Sequence, residues 1–254
     1  MALDEFWIAC EQGDLENAKR LFRNGGINIH ALRDRAFRHA CANGQLHVAK
    51  WLHELGGVRI HSKDNAAFRG AFANGHAETV QWLHGLGINV HVLGRDRFNR
   101  ACQAGHLQVA QWLYGLGGVD KLDRGLHDAC MLNHVNVVKW LWLLGHPSIM
   151  HISLQRMFER ACEWCNLELM QWLHGLGDID IHRDGDRMFR MACRRVRLDM
   201  ARWLMSLEPH YVWRAECFDR LTTWSRPRDA WMRSVVRGAN VRLLPVTAQM
   251  PFGK

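Results

Sequence analysis

Sixteen histidines and eight cysteines are the side chains of this 254-residue sequence best suited to chemistry. His30, His61, His91, His151 and His182 recur at one position of a repeating pattern, with Leu122 interrupting the series. A metal held by them would need ligands converging within about 2 Å of one ion. Copies one repeat apart stand roughly 10 Å from each other, the usual separation of packed helices. Each ring is therefore expected to hold a loop carbonyl through its N–H. His53, His84 and His174 follow a Trp-Leu pair and are expected to close a helix, where a cationic ring complements the dipole. Cys162-Glu-Trp-Cys165 has the C-x-x-C form. Zinc would need two more ligands and a redox site a thioredoxin-like βαβ setting, and the sequence offers neither. Gly-x-Ser-x-Gly, phosphate-loop and HExxH patterns are missing. The expectation is a chain that is not an enzyme and uses no metal or cofactor.

Charge is the other chemical signal. The net charge is +8, and residues 185–254 account for it with 14 Lys/Arg against 6 Asp/Glu, while the first 184 residues hold 19 of each. Arg187, Arg190, Arg194, Arg195 and Arg197 crowd one helix and its turn, and Arg226, Arg228 and Arg233 follow among Trp213, Trp224 and Trp231. Arginine beside aromatics suits phosphate contact with base stacking. It equally suits an acidic protein partner, or a solvated cap whose arginine stems cover apolar surface.

These side chains are positioned by a repeat. The phrase Trp-Leu-His-Gly-Leu-Gly occurs at 82–87 and 172–177, and its tryptophan recurs at Trp51, Trp82, Trp112, Trp140, Trp172 and Trp203 in steps of 28–32 residues. A period near 31 marks stacked supersecondary units instead of one closed core. Phe6, Phe37, Phe68, Phe98, Leu126, Phe158 and Phe189 are followed four residues later by Cys10, Cys41, Phe72, Cys102, Cys130, Cys162 and Cys193. Ten residues further stand Arg20 and then the six tryptophans. All length variation falls in one connecting segment per unit.

The rigid part reads as two short antiparallel helices. Phe37, Ala40 and Cys41 stripe the first, and Leu46, Ala49, Leu52 and Leu55 the second. Gly13, Gly44, Gly75 and Gly105 supply helix ends with positive φ, Asn133 takes the place in the fifth unit, and Cys165 and Val196 break the rule. A pair this short cannot bury its apolar side alone, so neighbours must stack on it. Each tryptophan can remove about 150–250 Å² from water, which makes the tryptophan ladder the expected main stabiliser. Arg20 and Asn24 give the first unit a polar outer side, as an end cap requires. The cysteines of the ladder read as small buried side chains too far apart for disulfides, which suits a reducing compartment, cytoplasm or nucleus. No apolar leader follows Met1, and no run approaches the roughly 18 apolar residues of a membrane span.

At this point the sequence resembles the ankyrin repeat family. Residues 36–52 (Ala-Phe-Arg-His-Ala-Cys-Ala-Asn-Gly-Gln-Leu-His-Val-Ala-Lys-Trp-Leu) look like the family's helix–turn–helix core, as does the stretch from Arg97. Ile60-His-Ser-Lys-Asp is similar to the segment feeding the family's hairpin fingers. The Thr-Pro-Leu-His start of the first helix is missing throughout, and the style is similar to arrays abundant in large DNA viruses and protists. The resemblance implies an all-α solenoid of about seven units with short loops or fingers. Its expected parts are a capping repeat at 1–33, repeats at 34–208 (near 34–64, 65–94, 95–122, 123–154, 155–185 and 186–208) and a basic degenerate cap and tail at 209–254. It also implies an intracellular protein-interaction scaffold or adaptor, in host cytoplasm if viral. The alternative is nucleic-acid or acidic-partner binding through 185–254.

In such arrays the finger tips and the ends of the first helices line the concave side. The candidates there are Asn43, Asn74, Gln103, Met131, Leu132, Trp164, Arg194 and Arg195, with Asp34, Asp64 and Arg95 on the fingers. These positions vary between units while the ladder does not.

Overall fold

A computed structural model describes residues 2–117, 119, 122–145, 153–177, 179–195 and 197–208. Over these residues the chain is helical throughout, and no strand occurs among them. The basic segment 209–254, with Arg226, Arg228 and Arg233, lies outside the described residues, as do His151 and Val196.

The chain divides into two compact units, residues 1–150 and 151–254. The first contains five helix pairs: α1 (Ala2–Gln12) with α2 (Leu15–Arg23), α3 (Ala31–Ala42) with α4 (Leu46–Glu54), α5 (Ser62–Ala73) with α6 (Ala77–Gly85), α7 (Arg97–Gln103) with α8 (Leu107–Gly115), and α9 (Asp123–Met131) with α10 (Val135–Leu143). The second contains α11 (Leu154–Glu163) with α12 (Leu167–Leu176) and α13 (Arg183–Arg194) with α14 (Leu198–Leu207).

The turn inside each pair explains its glycine twice over. Gly75 has φ +79°, and a Cβ there would also run into the His106 ring of the following pair. That ring bonds the Ala73 carbonyl through Nε2 at 2.9 Å, so one histidine caps an orphan helix-end carbonyl and joins two pairs. His134 does the same for the Gln103 carbonyl at 2.9 Å. Asn133 (φ +68°) and Cys165 (φ +57°) adopt the same left-handed backbone. Cys165 thus departs from the rule in residue type but not in conformation.

The core also differs from the expected ladder. Phe6, Phe37, Phe68, Phe158 and Phe189 are fully buried, as are Leu52, Leu83, Leu141, Leu173 and Leu204, which follow the tryptophans. The tryptophans themselves are only half-buried. Several pack on the phenylalanine of the preceding pair, Trp51 edge-on to Phe6 at 6.3 Å and Trp203 tilted against Phe158 at 6.1 Å. The residue after the preceding Trp-Leu, expected only to close its helix, supplies the second wall. His53 meets Trp82 at 5.7 Å, His84 meets Trp112 at 5.5 Å and His174 meets Trp203 at 5.7 Å. His84 additionally donates from Nδ1 to the Ile88 carbonyl at 2.9 Å.

Among the described residues the connectors contain no strand. In three units the chain enters the first helix through three consecutive left-handed residues, Leu32-Arg33-Asp34, Lys63-Asp64-Asn65 and Asp184-Gly185-Asp186. L-residues avoid this region at a cost of about 1–2 kcal/mol each, so something must hold them. The histidine at the start bonds the residue four later: His30 Nδ1 to Asp34 Oδ1 at 2.8 Å, His61 to Asn65 at 2.7 Å and His182 to Asp186 at 2.6 Å. These partners are side chains, not the loop carbonyls expected. From outside, Arg38 donates to the Leu32 and Arg33 carbonyls at 3.1 and 3.0 Å, and Arg190 to the Asp184 carbonyl at 3.0 Å. Arg69 pairs with Asp64 at 2.8 Å at the same register. The unit beginning at His91 has Arg95 where the others have Asp or Asn, and its connector is a short 3-10 turn, Val90–Leu93, ending on Gly94.

Two predictions follow from these contacts. Gly75→Ala should lower unfolding free energy by roughly 2 kcal/mol or more, against about 1 kcal/mol for Gly56→Ala, since Gly56 shares the positive φ but faces open space. Urea denaturation of both variants measures the difference, and equal losses would show that the His106 contact contributes nothing. Asp34→Leu should cost about 3 kcal/mol by leaving His30 and Arg59 without their buried partner. Asp34→Asn should stay within about 1 kcal/mol, because Asn65 already fills this place one unit later.

Candidate protein-binding surface

The turn after each first helix brings two residues to the surface, of which the second is exposed in these units. Within residues 1–150 the last of these two is Asn43, Asn74, Ala104 or Leu132. The asparagines are partly used by the fold: Asn43 Nδ2 donates to the His39 carbonyl at 3.0 Å, and Asn74 Nδ2 to the Ala42 carbonyl of the preceding pair at 2.7 Å. Gln103 is exposed, Met131 is half-buried, and Leu132 is 47% exposed. The α5 and α7 ends enclose a cleft of about 320 Å³ lined by Phe72, Ala73, Arg100, Gln103, Ala104 and His106. Arg100 lies over the Phe72 ring at 5.5 Å and donates from Nη1 to the Leu93 carbonyl at 3.2 Å.

Within the second unit the corresponding residues are Trp164 and Arg195. Trp164 ends α11 and is 52% exposed, with its backbone N–H bonded to the Arg160 carbonyl. Arg194 and Arg195 are exposed at the end of α13. Arg195 donates to the carbonyl of Glu163, the residue before Trp164.

The connector candidates separate. Asp64 and Arg95 are exposed, but Asp34 is fully buried between His30 and Arg59, with Arg59 Nε at 3.3 Å from its Oδ2. Asp34 is a structural carboxylate and leaves the candidate surface. The basic patch is likewise partly committed to the fold. Arg187 pairs with Glu163 at 3.4 Å, Arg190 holds its connector, and Arg197 donates to the Cys165 carbonyl at 3.1 Å and pairs with Asp199 at 3.6 Å. Residue spacing could have revealed these arginine roles. His-x3-Asp/Asn-x3-Arg occurs as His30-Asp34-Arg38, His61-Asn65-Arg69 and His182-Asp186-Arg190, the three units with left-handed connectors.

The cysteine pair holds no site chemistry. Burial pushes the Cys162 thiol up to about 12, and its Sγ faces the Met188 carbonyl at 3.7 Å. Cys165 is half-exposed with Arg195 Nη1 at 4.0 Å. Burial also raises Cys10 and Cys102 to about 12, so these ladder thiols remain protonated. Among the described residues no group of three or more His, Cys, Asp or Glu is placed to hold a metal ion, and no helix among them is long and apolar enough to cross a membrane.

Comparison with known proteins bears on the fold. Among solved structures, the chain is similar to the crystal structure of the human ASB11 ankyrin repeat domain, at 20% identity over 74% of this chain and 96% of that one, with a TM-score of 0.47. No curated protein matches the sequence. Residues 6–53 and 66–114 match the family model described as ankyrin repeats (many copies). The first matched stretch covers helices α1–α4 and the second α5–α8. The matched stretches are thus ankyrin repeats, and the same helix pair recurs through α14.

Proposed function

We propose that the protein is a non-enzymatic interaction scaffold or adaptor, binding a protein partner across the exposed ends of its first helices. Ankyrin repeats generally mediate protein–protein interaction. The observation that carries the reading is Trp164, a 52% exposed indole at a position where other units have Asn43, Asn74 or Ala104. An exposed aromatic at a helix end, with an arginine bonded to the preceding residue's carbonyl, has the composition of an interface hot spot. Within residues 1–150, Leu132 is the exposed apolar residue at the corresponding place of α9, 47% exposed.

The alternative reading places nucleic acid or an acidic partner on the arginines of 185–254. Arg187, Arg190 and Arg197 are engaged within the protein, which favours the first reading. The alternative expects binding that falls steeply with salt and disappears when 209–254 is deleted.

Trp164→Ala should weaken binding of a partner captured by the intact protein by about 2 kcal/mol, or roughly 30-fold in Kd. Its thermal stability should change by less than about 0.5 kcal/mol. Titration calorimetry beside thermal unfolding measures both, and parallel loss of stability would make Trp164 a core residue.

A further inference from the structure

Although residues 1–184 carry equal numbers of acidic and basic side chains, the helices sort them. Helices α3, α5 and α7 hold seven basic residues (Arg33, Arg35, Arg38, Lys63, Arg69, Arg97, Arg100) against Asp34 and Asp64, and Asp34 is buried. Their companions α4, α6 and α8 hold Lys50, Glu54 and Glu78. The sign reverses on either side. Helix α1 carries Asp4, Glu5 and Glu11 with no base, and α9 carries Asp123 and Asp128 against Arg124.

The three basic helices are consecutive neighbours. Asn74 on the α5 turn bonds the Ala42 carbonyl of α3 at 2.7 Å, and Arg100 of α7 lies over Phe72 of α5 at 5.5 Å. The α5–α7 junction opens into the cleft of about 320 Å³ lined by Phe72, Ala73, Arg100, Gln103, Ala104 and His106. An aromatic floor, a stacked guanidinium and an exposed amide form a receptor for a carboxylate on a short aliphatic stem. The guanidinium fork has five donors, and internal bonds to Leu93 leave part of it for a bidentate carboxylate.

We infer that the partner segment crossing α3, α5 and α7 is an acidic, extended peptide, with one Asp or Glu side chain seated in the Phe72–Arg100 cleft. The inference rests on the interaction-scaffold reading and names its partner's chemistry. From α3 to α7 is two helix spacings, about 20 Å, which an extended chain crosses in about six residues. Acidic α1 and α9 repel longer acidic runs, so the complementary segment is short and bounded. Basic helices also attract nucleic acid, but this face offers no exposed aromatic pair for base stacking. Trp7 is half-buried beneath Arg35 at 4.4 Å, and Phe72 is buried beneath Arg100.

Selection of a displayed library of peptides about eight residues long on the full chain tests this. The selected peptides should be enriched in Asp and Glu. A fluorescein-labelled representative should lose at least about tenfold in affinity on Gln103→Glu and on Arg69→Glu, and weaken as salt rises. Neither substitution touches the buried core, and a peptide with Lys in place of Glu should recover affinity for Arg69→Glu. Selected peptides without acidic residues, or binding indifferent to both substitutions, would overturn the inference. If those peptides still depend on Trp164 or Leu132, the scaffold reading survives without it. A library yielding no bound peptide counts against both. Oligothymidine that displaces the peptide and shows the same Arg69 and Gln103 dependence would overturn it in favour of nucleic acid.

Discussion

The helix pairs are each open on two sides, and the contact that closes several of them is the tryptophan of one pair against aromatic rings of the pair before. Phe37, tilted, and His53, edge-on, form such a corner for Trp82 at 6.2 and 5.7 Å, while Phe98 and Tyr114 form it for Trp140. Edge-on contacts of this kind add about 0.5–1.5 kcal/mol to the area buried. The sealed residue is Leu83, 0% exposed, one step along the helix. Tryptophan therefore sets spacing while leucine and phenylalanine supply the dry core. Spacing in turn dictates the glycines, since a His106 ring that reaches the Ala73 carbonyl must pass directly over Gly75.

The connectors obey the same geometry from the other end. A chain leaving a helix end must turn back within a few residues, and three units do so through left-handed residues that only their side-chain partners make tenable. The His–Asp bond holds the turn from within and the arginine eight residues on holds it from outside. His182 shows how closely such a site is bounded: Asp186 meets Nδ1 at 2.6 Å and Glu208 meets Nε2 at 3.2 Å. Arg187 and Arg197 face the carboxylates of Glu163 and Asp199, which offset their charge, so counting arginines alone overstates the binding charge of 185–208.

The repeat period, the helix stripes and the helix-ending glycines were all legible in the sequence because each reports a strictly local requirement. The first helix is apolar at Phe37, Ala40 and Cys41 whatever lies beyond it, and Gly44 must take positive φ. The left-handed connectors were not legible from propensity. Leu32, Arg33 and Lys63 disfavour that backbone, and tertiary contacts override the preference. The burial of Asp34 was hidden for the same reason, as an aspartate in a loop reads as solvent-exposed until His30 and Arg59 are placed around it. Cys165 breaks the rule in residue type yet takes the same left-handed backbone, so residue type alone does not report conformation there. The charge sorting of α3, α5 and α7 escaped a sum over 184 residues because the helical period, not the running total, decides which side chains share a face.

The ends of the first helices are where the exposed side chains differ most in kind from unit to unit. Their chemistry changes along the chain. Asn43 and Asn74 are polar and hydrogen-bonded, Gln103 sits beside a guanidinium and an aromatic floor, and Leu132 and Trp164 are apolar and exposed. Selection for stability alone would favour the asparagine already used twice, because an exposed indole gains nothing from a water-facing helix end. An apolar residue retained there, among turns whose backbone is otherwise held constant, is most simply explained by something that covers it. Leu132 in the first unit and Trp164 in the second each pose that question separately, since each is an apolar side chain facing water at a turn where other units carry Asn43 or Asn74.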